Sequence, residues 1–156
     1  MLKLIKRLVF SATLLASSTV FANPILSFEM EGDFDINHTE ISQALEESRF
    51  YVIFEPNIGR SLTHYKDLWG ADYNKHGYEE IRSLVFCNPW YANHVINKDP
   101  DMGALCPLSI TLQHKNETTY IKFLRPSQIN PESPAQDLLI ELEGDIVKAL
   151  KSVIEQ

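Results

Sequence analysis

Two cysteines, Cys87 and Cys106, are the residues of this 156-residue chain whose type best suits chemistry. An isolated pair in an exported protein is typical of one disulfide, which would stabilise the fold by about 3 kcal/mol by restricting the unfolded chain. Two separate thiols, or a soft Cu(I) site completed by Met102, are the alternatives that the sequence leaves open. We expect the disulfide.

The strands beside the two thiols decide whether these can meet. Cys87 ends an apolar run that begins at Leu84, and Cys106 precedes an alternating run from Leu108 to His114. In a parallel pair the thiols would lie at opposite edges of the sheet, beyond the Cα separation of roughly 7 Å that a disulfide permits. In an antiparallel pair both thiols lie at one edge. The sequence does not choose between these arrangements.

Cys87 is the candidate redox residue, because it directly precedes a predicted helix that begins at Pro89. Free N–H groups of the first helical turn would lower the pKa of its thiol below the usual value of about 8.5. Cys106 shares the buried parity of the following strand if that strand starts early enough, so we expect Cys87 to alkylate first. The alternative is that Cys87 is buried against Phe86 and Trp90, which would raise its pKa and leave it inert.

Aromatic residues gather in an irregular segment, residues 59–78. Trp69, Tyr73, His76 and Tyr78, together with Trp90, are the candidates for lining a ligand pocket. Binding residues concentrate on such loops, but aromatic side chains more often simply pack. We favour a surface loop whose aromatic side chains pack onto the core.

Motifs of common enzyme classes are missing from the sequence. It contains no nucleophile elbow, phosphate loop, dinucleotide fingerprint, Cys-x-x-Cys or His-Glu-x-x-His. The five histidines include no pair three or four residues apart. We therefore expect no metal site and no cofactor, and we favour a protein without catalytic activity.

The first 22 residues have the pattern of a cleaved signal peptide. Lys3, Lys6 and Arg7 precede a short apolar run, and Val20-Phe21-Ala22 supplies a cleavage site. We expect residues 23–156 to form one periplasmic or secreted domain. That part carries 11 bases against 21 acids, a net charge of −10. This charge argues against nucleic acid, or an anionic membrane after cleavage, as a partner.

Hydrophobic periodicity predicts a two-layer α+β domain, with a mixed or antiparallel sheet of about five strands and about three helices packed against it. Alternation places Leu112 in the core and Gln113 outside, and the last helix places Leu142 inside and Glu143 outside. Strand patterns occupy residues 26–31, 51–54, 84–87, 108–114 and 119–124, and helix patterns residues 37–48, 89–98 and 133–153.

The run Phe86-Cys87-Asn88-Pro89, followed by Ala92, Lys98-Asp99-Pro100 and residues 105–111, resembles the core signature of the DUF302 family. The resemblance implies a two-layer α+β domain and brings no established catalytic residues. That family has Leu-Pro-Cys before its late strand, whereas this chain has Leu105-Cys106-Pro107, which moves the thiol by one residue.

Two functions are consistent with these features. The first is an exported, non-catalytic binding or interaction domain of DUF302 type, with an unknown small molecule or protein as partner; a homodimer is compatible with the sequence. The alternative is a thiol-redox or sulfur-handling protein that uses Cys87 with Cys106.

Overall fold

The computed structural model describes residues 23–155. Their main elements, in chain order, are β1 (Ile25–Glu31), α1 (Phe34–Glu47), β2 (Tyr51–Phe54), α2 (Ile58–Thr63), α3 (Lys66–Trp69), β3 (Glu80–Cys87), α4 (Pro89–Lys98), β4 (Leu108–Lys115), β5 (Thr118–Leu124) and α5 (Gln136–Ile154). Short 3₁₀ turns lie at Gly70–Asp72, Pro100–Leu105 and Pro126–Gln128. The signal-peptide prediction concerns residues outside this range.

The five strands form one sheet in the order β1-β5-β4-β3-β2, and every neighbouring pair is antiparallel. β4 and β5 are joined by a two-residue hairpin loop, Asn116 and Glu117, whose φ angles are 51° and 59°. Positive φ at both positions is required by the type I′ turn, whose twist matches that of the flanking strands. β1 and β2 lie at opposite edges, so α1 must cross the sheet between them. The α+β prediction is confirmed, and the sheet is antiparallel.

The core lies between one face of the sheet and the layer of helices, in which α1 and α4 both pack against α5. Alternate strand residues and the apolar stripe of α5 meet there. Leu112 is fully buried and Leu142 is 5% exposed, as predicted. Fully buried residues include Leu84, Phe86, Ile110, Ile121, Phe123, Leu139, Ile146 and Leu150.

Two helices begin at residues other than those predicted. Asp33, not Asn37, caps α1, and its side chain accepts hydrogen bonds from the N–H groups of Asp35 and Ile36. Asn37 is instead buried, and its amide donates to the Met30 carbonyl and to Thr119. Asn37 thus satisfies a partly buried carbonyl, and Asp33 already caps the exposed start of the helix.

α5 likewise begins at Gln136, three residues beyond Ser133, where the helix pattern starts. The Ser133 hydroxyl donates to the Asp99 carboxylate at 2.5 Å, which ties the start of this helix to the end of α4. Glu143 was expected to face solvent but is 8% exposed. It accepts hydrogen bonds from Arg125 (2.7 Å) and Ser127 (2.5 Å) in the turn that covers this part of α5.

Residues 58–78, called here the excursion, connect β2 to β3 outside the core. They form α2, α3 and a 3₁₀ turn, none of which contains a buried residue. Tyr65 and Trp69 stack on each other at 5.2 Å while both remain at least 40% exposed. Leu68 is 77% exposed. The expectation that these aromatic side chains pack onto the core is therefore wrong.

Within residues 23–155, no helix has the length and apolar character needed to cross a membrane.

Candidate functional site

The antiparallel pairing of β3 with β4 brings the two cysteines together. Phe86 pairs with Leu108, so Cys87, one residue later, and Cys106, two residues earlier, lie at the same edge of the sheet. Their sulfur atoms are 2.6 Å apart. Both residues are free thiols in this structure, and this distance exceeds the S–S bond length of about 2.05 Å. Of the two arrangements that the sequence allowed, the one in which the thiols meet is present.

Cys106 is the more accessible thiol. It is exposed, whereas Cys87 is half-buried. β4 begins only at Leu108, and the N–H of Cys106 donates to the Gly103 carbonyl at 3.1 Å, within the preceding 3₁₀ turn. Strand alternation therefore does not apply to Cys106, and the expectation that it faces the core is wrong.

The first turn of α4 has few free N–H groups to offer a thiolate. Asn88 caps the helix, and its Oδ1 accepts from the N–H groups of Trp90 (2.9 Å) and Tyr91 (3.2 Å). Pro89 has no N–H group. Asn88 therefore uses the donors that sequence reasoning had assigned to Cys87.

The pKa of Cys87 is accordingly raised, not lowered. Burial of the thiol raises its pKa from 9.0 to about 12, and the hydrogen bond and charge of Cys106 add to this effect. The expectation of a lowered pKa is wrong, and the pKa is raised as in the alternative of a buried thiol, although Cys87 is only half-buried. Cys87 is thus a poor nucleophile while both thiols are reduced.

A narrow apolar cleft, called here the cysteine cleft, opens beside the two thiols. It has a volume of about 30 Å³, room for a small group and not for an organic cofactor. Its walls come from the end of β3, α4, the Pro100–Leu105 turn and α5. The lining residues are Cys87, Asn88, Tyr91, Ala92, Val95, Ile96, Met102, Leu105, Cys106, Leu108, Leu139 and Leu142.

Sequence reasoning missed this cleft, although it contained a signal for it. The residues of α4 that face one way, Ala92, Val95 and Ile96, line one wall, and Leu139 and Leu142 of the α5 stripe line the other. Which two apolar faces lie opposite each other is set by the fold and not by either pattern alone. Tyr91 lies between them, and its hydroxyl donates to Asp145 of α5 at 2.7 Å.

Burial raises the pKa of the Tyr91 phenol, and the neighbouring carboxylate of Asp145 adds to the rise. The phenol therefore remains a hydrogen-bond donor across the neutral range. Its bond to Asp145 helps to fix the distance between α4 and α5, which form the two walls.

The predicted aromatic pocket residues do not converge. Trp90 is 52% exposed and stacks on His94 at 4.1 Å, on the outside of α4. Trp69 lies exposed in the excursion, and His76 lies near Tyr78, with ring centres 6.0 Å apart. None of these three residues lines the cysteine cleft or the polar cavity between the excursion and β3, whereas Tyr78 lines the latter.

Tyr73 and Tyr78 line a second, polar cavity of about 160 Å³ between the excursion and β3. The Tyr73 hydroxyl shares a hydrogen bond with Thr63 at 2.9 Å, and Asn74 binds both the N–H and the carbonyl of Tyr78. These bonds hold the excursion together. Arg60, Glu79 and Glu80 bring charges of both signs to the rim.

The soft-metal alternative has its three residues in one place, since Met102 lines the cleft with both cysteines. Across residues 23–155, no group of three or more His, Cys, Asp or Glu side chains is arranged to hold a metal ion.

Comparison with known proteins agrees with this fold. Residues 26–155 match the family described as "Domain of unknown function DUF302". A solved structure, the crystal structure of an uncharacterized conserved DUF302 protein from Bacillus stearothermophilus, is similar over 83% of this chain and 98% of that chain, with a TM-score of 0.70 and 18% identity. No curated protein matches. With nearly the whole described chain inside the family match, the protein belongs to the DUF302 family.

Proposed function

We propose that this chain is an exported, non-catalytic binding domain whose binding site is the cysteine cleft. The observation that carries this proposal is the lining of the cleft, where apolar side chains from α4 and α5 face each other beside two thiols. Binding sites combine an apolar lining with a few polar groups that set orientation, and here Asn88 and the thiols are those groups.

The ligand that suits the cleft is a short aliphatic group. A volume of about 30 Å³ admits about one methyl group, so only the tip of an aliphatic side chain or alkyl chain enters. Transfer of such a group from water is favourable by roughly 0.8 kcal/mol per buried CH₂. Binding through the cleft alone is therefore weak, and a specific partner must add contacts at its rim.

Cys87 and Cys106 have a structural role in this proposal, because as a disulfide they would connect the α4 side of the cleft to the start of β4. Their sulfur atoms are already in contact at 2.6 Å, so oxidation to a disulfide requires little movement. A disulfide there would fix the rim of the cleft in an oxidising compartment.

Binding is tested by NMR titration with N-acetyl-leucinamide, which carries a leucine side chain and no charge. We expect shifts at Tyr91, Ala92 and Val95. Ala92→Leu fills the cleft and should weaken binding by about tenfold. Ala104→Leu, at an exposed position outside the cleft, is the matched control. Shifts scattered elsewhere, or equal affinity of the two variants, would contradict the proposal.

Export rests on the basic start, the apolar run and the Val20-Phe21-Ala22 site. The intact mass of the protein isolated from its own cells tests it. Cleavage after Ala22 is the expected result. A mature product that retains residues 1–22 would remove both the periplasmic assignment and the oxidising environment on which the disulfide depends.

A thiol-redox function is the second candidate. The observation that favours it is the contact between an exposed thiol, Cys106, and a half-buried one, Cys87. A purely structural disulfide needs no accessible sulfur, whereas thiol–disulfide exchange does.

A further inference from the structure

We propose that the reduced domain exchanges with a disulfide of a partner protein, that Cys106 makes the attack, and that Cys87 completes the reaction by displacing the partner. This inference rests on the thiol-redox candidate function and on the proposed cleft, which would receive an aliphatic residue next to the partner's cysteine. It reverses the order of the two thiols expected from the sequence.

The positions of the two thiols set this order. Cys106 is exposed and lies outside regular structure, between a 3₁₀ turn and β4. Cys87 ends β3 and is half-buried, with its sulfur atom 2.6 Å from that of Cys106. An incoming disulfide therefore meets the Cys106 sulfur first, and Cys87 is already within reach of the product.

The reaction balances without a further oxidant. The Cys106 thiolate attacks one sulfur of the partner's disulfide, the partner's S–S bond breaks, and the other sulfur leaves as a thiolate. Cys87 then attacks Cys106, which forms the Cys87–Cys106 disulfide and releases the second partner thiolate. The partner gains two electrons, and the two protons lost by the domain's thiols pass to the partner's thiolates.

The electrostatics of the pair favour this sequence of events. Burial is the largest cause of the raised pKa of Cys87, and two smaller causes come from Cys106, through its hydrogen bond and its charge. Both disappear once Cys106 is held in a mixed disulfide, because that sulfur no longer carries a proton or a charge. The pKa of Cys87 therefore falls after the first step, although burial still raises it, and Cys87 becomes a better nucleophile than before.

The cysteine cleft supplies a reason for partner choice. Cys106 lies at the rim, and Leu105 beside it lines the cleft with Ala92 and Leu142. A partner cysteine that reacts with Cys106 therefore brings its neighbouring residue to the cleft mouth. An aliphatic neighbour can enter, whereas a polar neighbour would lose hydrogen bonds to water.

The attacking thiol is identified with dithiobis(nitrobenzoate), an aromatic disulfide that releases a coloured thiolate. The wild type should release two thiolates per chain and end as an internal disulfide. Cys87→Ser should release one and retain the reagent on Cys106 by intact mass. Cys106→Ser should react about tenfold more slowly, because a half-buried thiol with a raised pKa is a poor nucleophile.

Folding is checked by thermal melts, and both variants should react equally in denaturant, where the local environment is lost. A Cys106→Ser variant that reacts as fast as Cys87→Ser in the folded state, or faster, would overturn the assignment. So would a wild-type protein that reacts only after unfolding.

A second pair of probes separates this inference from the proposed cleft. The disulfide dimers of N-acetyl-Cys-Leu-amide and N-acetyl-Cys-Ser-amide differ in the residue next to the sulfur. We expect the leucine form to react faster with wild type and to lose that advantage in Ala92→Leu. Equal rates with attack still at Cys106 would overturn the cleft alone. A leucine advantage with first attack at Cys87 would overturn the thiol order alone.

Discussion

The cysteine cleft and the excursion both bring aromatic and polar side chains together, but they differ in how these side chains are held. The cleft is walled by α4 and α5, whose inner faces include Tyr91, Val95 and Leu142, all at most 5% exposed. The excursion contains no buried residue in α2, α3 or its 3₁₀ turn. Its cavity is held by hydrogen bonds between its own loops.

This difference indicates where binding can be specific. Groups fixed by a packed core keep their positions, so a cleft between two helices is preorganised for its ligand. A loop segment with few buried contacts opens at low free-energy cost. Equivalent substitutions should therefore destabilise the protein more in the cysteine cleft and its helices than in the excursion.

The largest difference is expected for a charge placed on a leucine. Leu142→Asp puts an unpaired carboxylate at a position that is 5% exposed, at a cost of several kcal/mol out of a total stability of about 5–15 kcal/mol. Leu68→Asp changes a side chain that is 77% exposed and should melt like wild type. Thermal melts followed by circular dichroism compare the two. Similar melting temperatures would mean that α5 is not part of the core.

A smaller difference is expected for ion pairs. Glu143→Ala leaves Arg125 and Ser127 without their acceptor in a mostly buried place and should cost about 3 kcal/mol. Asp72→Ala breaks the pair with Lys75 in the excursion, where both side chains are more than 60% exposed, and should cost less than about 1 kcal/mol. Urea unfolding measures both free energies. Equal losses would show that Glu143 is hydrated.

The next pair removes a helix cap from each region. Asn88→Ala and Asn57→Ala each delete a side chain that accepts from the first turn, of α4 and α2 respectively. The loss at α4 should be about 1 kcal/mol, and that at α2 smaller, because a short exposed helix can unfold locally.

Asn88→Ala should also make Cys87 more reactive, since it frees two N–H groups beside the thiol. Alkylation rates at neutral pH measure this effect, with Asn57→Ala as the control. An unchanged rate would mean that burial alone governs the thiol.

Much of the fold was predictable because local patterns and tertiary packing agree. The alternation around Leu112 and the stripe through Leu142 predicted the sheet face and the helix face that form the core. Helix starts were less predictable, because Asp33 and Asn37 are both good caps and only the sheet shows that Asn37 is needed elsewhere. The burial of Glu143 was likewise not predictable from its helix, because it depends on Arg125 and Ser127 in the turn that covers α5.

The candidate site was predictable in part. The sequence singled out the two cysteines and the helix that begins at Pro89, but it assigned the reactive position to the wrong thiol. It extended the alternation of β4 back to Cys106, although the strand begins two residues later. The cleft itself depends on α4 and α5 lying face to face, and no local pattern specifies that contact.

The smallest expected effect, a pH dependence, comes from Cys87 itself. Its thiol is neutral in the folded protein up to about pH 12, whereas in the unfolded chain it ionises near 9.0. The unfolded chain therefore loses this proton first, and stability falls as pH rises. The contribution of the Cys87 thiol to the free energy of unfolding is complete below about pH 9 and is lost progressively towards pH 12. Solvent screens much of it, because the thiol is only half-buried.

The measurement compares the reduced wild type with Cys87→Ser by urea unfolding from about pH 8 to about pH 10.5. The wild type should lose stability relative to the variant over this range, because the variant has no thiol to ionise at this position. Tyr91, whose pKa is also raised by burial, contributes with the same sign in both proteins and cancels in the difference. A difference in unfolding free energy that stays constant with pH would mean that Cys87 has the same pKa in the folded and the unfolded protein. A difference that moves in favour of the wild type as pH rises would mean that the folded protein stabilises the thiolate, and would restore Cys87 as the attacking residue.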